Sequence, residues 1–151
     1  MTVFPSRRAQ VLLPHYGRTG DAYHDIEESP NYALSSGREL KFIEAPFLHF
    51  PGAFVTYDSH ARILFSGDIW AALGTEWKLV VTDFESHIIQ MNLFHLDYIP
   101  CNAAARGFVK KLADIAIDVI LPQHGSVIGP DHVRQALTYL KNVQCGLDII
   151  Y

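Results

Sequence analysis

The order of its apolar patterns constrains this chain more than any single residue. Two short strand-like runs, "AFVTYD" at 53–58 and "ARILFSG" at 61–67, are separated only by Ser59 and His60, which is hairpin spacing. Further on, the apolar period becomes helical. Thr82 followed by Glu85 has the spacing of a capping box, so a helix starts near Asp83. Phe84, Ile88, Met91 and His95 fall on one face of it, and Pro100 ends it. Asn102 is placed to cap a second helix with the stripe Ala105, Phe108, Val109 and Leu112. "IAIDVILP", 115–122, is a compact run of β-branched residues and reads as a buried strand. Pro130 suits the first turn of a final helix that buries Val133, Ala136, Leu137 and Leu140. A hairpin, two helices, a strand and a helix make a layered α/β arrangement, because the helices need a sheet to cover.

The lead-in is less regular. "AQVLLPHYG", 9–17, reads as a short buried strand stopped by Pro14. Residues 18–37 are rich in Gly, Ser, Asp and Pro and read as a long loop. "ELKFIEA", 39–45, reads as a strand. There is no internal repeat, low-complexity tract or interdomain linker.

Composition narrows the function classes. The 151 residues are 49% hydrophobic and 19% charged, enough for one domain with a sizeable core. The net charge is −4, and the clearest basic pairs are Arg7-Arg8 and Lys110-Lys111, which argues against a nucleic-acid partner. Cys101 and Cys145 are far apart and form no C-x-x-C pair, as expected of thiols in a reducing compartment. No signal-peptide core and no membrane-length apolar run occurs, so the expectation is a cytoplasmic protein with no membrane partner.

Three polar residues share a position in the pattern. His49 lies beside the Pro51-Gly52 turn, Asp68 follows "RILFSG", and His124 follows "DVILP". Asp68 and His124 each sit just past the end of an apolar strand, where ligand sites collect in open α/β sheets. Imidazole and carboxylate together suit zinc, iron or manganese.

The segments "HFPGAFVTYD", "RILFSGD" and "ILPQHG", in that order, resemble the C-terminal half of the metallo-β-lactamase fold. A histidine before F-P-G, together with "MNLFHLDYIPCN", is similar to the branch holding the flavodiiron and oxygen-binding diiron proteins. The resemblance implies half of an αββα sandwich, a mixed sheet covered by helices. It also implies two iron ions, with His49 on one, His124 on the other and Asp68 bridging, and O₂ or NO as the small ligand. Zinc in the same cage is the alternative, and would activate water for hydrolysis.

This sequence departs from that family in one respect. The upstream H-x-[EH]-x-D-H motif, which supplies four further ligands, does not occur in these residues. "HDIEE", 24–28, has different spacing and reads as a solvated acidic loop. The expectation is therefore a single partial domain across residues 1–151. It is either truncated from a longer protein or completed by a partner, which is a chain carrying the complementary N-terminal half or a second copy. A non-catalytic half-domain is the remaining alternative. Of the other histidines, His60 and His132 read as exposed, His95 as a core residue or a support behind the site, and His15 as lying near the site's rim. Trp70, Trp77 and Phe47 either wall a small apolar pocket or belong to the core.

Overall fold

The chain builds one mixed sheet, backs it with helices and prefixes it with a short lead-in. In this computed structural model, residues 2–17, 20, 22–76 and 78–151 are described; Trp77, expected as a pocket wall or core residue, lies outside them. The lead-in is β1 (Thr2–Val3), α1 (Arg7–Gln10), a 3₁₀ turn over Leu13–Tyr16 and β2 (Ala22–Tyr23), with β1 and β2 pairing in parallel. Then come β3 (Asn31–Ala33), β4 (Glu39–Glu44), β5 (Phe54–Asp58) and β6 (Ile63–Gly67). Next are α2 (Phe84–Tyr98), α3 (Asn102–Lys111), β7 (Val119–Pro122), α4 (Pro130–Asn142) and α5 (Leu147–Ile150). The sheet runs β3-β4-β5-β6-β7, antiparallel except for the parallel β6–β7 pair.

Register decides which face is covered. Ile43 pairs with Val55, Tyr57 with Leu64, and Leu64 with Ile120, and all five side chains are buried. They join one core with Phe84 and Met91 of α2, Ala105 and Phe108 of α3, and Val133, Ala136 and Leu140 of α4. The alternate row is Phe42, Thr56, Phe65 and Leu121. Phe4 and Phe54 pack on Phe42, with ring centroids 5.4 and 5.7 Å away, but Phe65 remains 44% exposed. The mixed sheet with helices on one face is the expected α/β half-sandwich.

Several local expectations are corrected. Residues 9–17 form no strand: Ser6 caps α1 through Ala9 N–H, and Pro14 sits in a 3₁₀ turn. Val11 and Leu12 are consequently exposed rather than buried. The stretch expected as loop over 18–37 contains β2 and β3, the latter held by pairing with β4. The cap of α2 is Asp83, not Thr82; its Oδ1 accepts from Glu85 and Ser86 N–H at 3.1 and 3.3 Å. Thr82 instead accepts from Lys78 Nζ at 3.2 Å. His132 is half-buried, stacked on Phe84.

Asn102 does not cap α3 with its side chain. It is buried, and its amide donates to the Lys141 and Val143 carbonyls at 2.9 and 2.8 Å, closing the end of α4. Asn102→Ala is therefore expected to strand both acceptors and cost about 1–3 kcal/mol in urea denaturation. Cys145 is fully buried, and desolvation pushes its thiol up to about 11, so it stays protonated at neutral pH.

Candidate metal centre

Strand direction brings the three predicted residues together. β6 and β7 are parallel neighbours, so Asp68 and His124 leave the sheet at the same edge; Gly67 pairs with Pro122, and Gln123 N–H bonds Gly67 O at 2.8 Å. β5 runs antiparallel to β6, so its start lies at that edge too and brings the preceding loop with it. Within that loop Ala45 N–H bonds Ala53 O at 2.9 Å, and the side chain of Leu48 is buried as an anchor. The buried Ser6 hydroxyl donates to Gly52 O at 2.7 Å, so the lead-in pins the Pro51-Gly52 turn.

His49 Nε2 lies 3.1 Å from Asp68 Oδ2. His124 Nε2 lies 3.7 Å from the other oxygen, Oδ1, beyond hydrogen-bond reach. Each imidazole thus faces a different oxygen of one carboxylate. Oδ1 is buried and has no hydrogen-bond partner. A carboxylate oxygen withdrawn from water without a donor carries an uncompensated desolvation cost. Among the described residues, no group of three or more His, Cys, Asp or Glu side chains is gathered to hold an ion.

The supports come from α2. The ring of Phe94 meets His49 edge-on at 5.3 Å and stacks on Tyr98 at 4.8 Å; Tyr98 lies 6.0 Å from His49. Fully buried His95 accepts the Trp70 N–H at Nε2, 3.0 Å, and donates from Nδ1 to Met91 O, 2.8 Å. A peptide N–H can only donate, so the proton must sit on Nδ1 and the ring is neutral. Burial, the largest influence, pushes its pKa down to about 4. The turn it grips also carries Ser66 Oγ donating to Ile69 O at 2.8 Å. Trp70 holds a left-handed backbone (φ +64°) and donates its indole N–H to Ala136 O at 2.9 Å.

His124 is set by its neighbour. Ala72 N–H bonds His124 O at 3.2 Å, and Gly125 adopts φ +99°. A Cβ on Gly125 would stand 2.8 Å from Ala72 Cβ and 3.0 Å from Ala72 N. Gly125→Ala is expected to cost about 1–3 kcal/mol in thermal unfolding and to displace His124 from Asp68.

The other candidates make different contacts. His24 bonds Ser29 O at 2.8 Å, and Asp25, Glu27 and Glu28 surround Arg7, so "HDIEE" is an acidic loop gathered around one cation. Trp70 is core, and Phe47 is exposed with the Arg8 guanidinium 5.9 Å above its ring. His15 and His60 are exposed. The role of Phe94 and Tyr98 had no spacing signal, and only the place of His95 on the buried helix face marked it out.

A family model described as ODP family beta lactamase matches residues 1–125. The chain belongs to that family. This ODP-family chain is similar to a solved chemotaxis sensor ODP in its peroxy diiron species, at 32% identity and TM-score 0.87. The match covers 99% of this chain and 63% of that one. It shares its fold with the flavodiiron protein from Giardia intestinalis, at 24% identity and TM-score 0.77, covering 92% of this chain and 35% of that one. An anaerobic nitric oxide reductase flavorubredoxin from Aeromonas hydrophila is 22% identical over 124 residues, 79% of this chain and 25% of the relative. The ODP-family chain therefore spans about a quarter of that flavorubredoxin's length. The resemblance carried by the segments around His49, Asp68 and His124 is borne out at the level of family and fold. No helix among the described residues is long and apolar enough to cross a membrane.

Proposed function

We propose that this chain bears one side of a non-haem diiron centre that binds or senses O₂ or NO. The observation that carries the proposal is Asp68, which presents separate oxygens to His49 and His124 while Oδ1 lies buried and unpartnered. A bridging carboxylate offsets the repulsion between two like cations, and neutral imidazoles fix the outer directions. His49 would hold one iron and His124 the other. Iron bound there would supply redox chemistry toward O₂ or NO that zinc does not. Phe94 and Tyr98 shield one flank of His49 from water.

One carboxylate and two imidazoles under-ligate two irons. The remaining ligands come from polypeptide outside these residues, either a further segment of the same protein or a complementary chain. Two observations support this. More than a third of the ODP sensor's chain has no counterpart here. The sheet face around Phe54, Phe65, Leu121 and Pro122 opens beside the site, sharing Gly67 and Gln123 with the His49–Asp68 cleft.

Anaerobic loading with Fe(II) of the chain together with the polypeptide that supplies the remaining ligands, followed by metal analysis and exposure to O₂ and separately to NO, tests the reading. Iron uptake with a new visible absorption band on gas addition is expected. Preferential zinc uptake with hydrolysis of a lactam or ester would replace it with the hydrolase reading. No uptake of either metal would leave a non-catalytic half-domain.

A further inference from the structure

We infer that His95 is a positioning residue for this centre, and that one turn of α2 sets both ligand loops at once. The inference rests on the metal reading above, but its geometry stands apart from any ion.

Asp68 leaves β6 through Gly67, which has a left-handed backbone (φ +58°), and enters a turn closed by Ile69 N–H to Ser66 O at 3.2 Å and Ala71 N–H to Asp68 O at 3.0 Å. The Trp70 N–H points away from that turn's own acceptors. Its partner is His95 Nε2, twenty-five residues onward on a different element. A buried N–H left unpaired is costly, so the turn adopts this course only where an acceptor waits for it. His95 is that acceptor because Met91 O takes its other ring proton and so fixes the tautomer. Edge contacts from Phe94 and Tyr139 fix the ring plane.

The residues beside it act on the other ligand. Phe94 precedes His95, and Tyr98 lies one helical turn beyond Phe94; their stacked rings, 9° from parallel, form the wall that His49 meets edge-on. Residues 94, 95 and 98 therefore couple the His49 loop to the Asp68 turn through a rigid helix. Outer partners of this kind tune metal affinity by about 10–100-fold.

The test compares the parent chain with His95→Leu, which removes the acceptor, and His95→Gln, which restores a carbonyl oxygen that can accept. Co²⁺ titration followed by visible absorption reads the ligand geometry. ¹⁵N NMR of the metal-free chain reads the Trp70–His95 bond. Expected are a scalar coupling between Trp70 N and His95 Nε2, affinity for Co²⁺ at least about tenfold weaker in His95→Leu, and recovery of most of it in His95→Gln. A folded His95→Leu with parental affinity and band shape overturns the inference. So does an Nε2 that carries the proton in the parent. If His95→Leu fails to fold, a His95→Gln without recovery overturns it. If the parent takes up no Co²⁺ even with the complementary polypeptide present, the metal reading fails by itself. Positioning is then decided by NOEs from the His49 ring to Phe94 and Tyr98: their persistence unchanged in the folded His95→Leu chain overturns it, and their loss there supports it.

Discussion

Asp68→Asn is expected to separate metal binding from stability. The carboxylate is held with one oxygen buried and unpartnered, which is unfavourable unless a cation sits there. An amide of the same shape costs less to bury than a charged group. It can also turn its NH₂ toward His124, the neighbour now facing Oδ1. The metal-free variant should therefore melt at least as high as the parent. A gain of about 1 kcal/mol would read as about 2–4 °C for a chain of this size. Iron or cobalt affinity should meanwhile fall by more than about 100-fold, beyond the effect of losing an outer hydrogen bond. Calorimetry in chelator paired with metal titration checks both halves. Loss of stability in the Asp68→Asn chain would show that Asp68 serves the fold instead.

The second large effect is a fall in stability in mild acid. His95 has its folded pKa lowered to about 4, against about 6.5 unfolded. Below about 6.5 the unfolded chain takes up a proton that the native ring refuses. Stability is thus full above that pH and declines toward about 4, by about 3 kcal/mol in total at about 1.4 kcal/mol per unit. His87, also buried and lowered by desolvation, acts in the same direction. Asp83 and Asp58 act later. Their pKa values are lowered, chiefly by Ser86 and by the Ala61 N–H respectively, so their contribution is lost only as pH falls through and below the ordinary carboxylate range. Urea midpoints measured between pH 7 and 4 should fall steadily, and His95→Leu should flatten the slope. A flat parental profile would refute the neutral buried imidazole.

Legibility in the sequence followed how local each cause was. The hairpin and the Pro130 helix depend on turn chemistry and periodicity, and they lie where those signals stand. "IAIDVILP" pairs only over Val119–Pro122. Ile115 and Ile117 pack against the core from a segment tethered by Tyr57 Oη donating to Ala116 O at 2.6 Å, so their apolar side chains serve packing rather than strand pairing. "AQVLLPHYG" has strand-like apolar content, but Ser6 starts a helix there and Pro14 sits in a 3₁₀ turn. His49, Asp68 and His124 were legible because each sits beside a recognisable strand or turn. The His95–Trp70 bond was not, because a side chain reaching a backbone N–H across twenty-five residues leaves no spacing behind.

Iron X-ray absorption on the chain loaded with Fe(II) together with the polypeptide that completes its ligand set tests the shared carboxylate most directly. Two irons bridged by Asp68 predict an iron–iron scattering vector at about 3.5–4 Å, with nitrogen and oxygen neighbours, that disappears in Asp68→Asn. Iron bound singly, with no such vector in the parent chain, would contradict it.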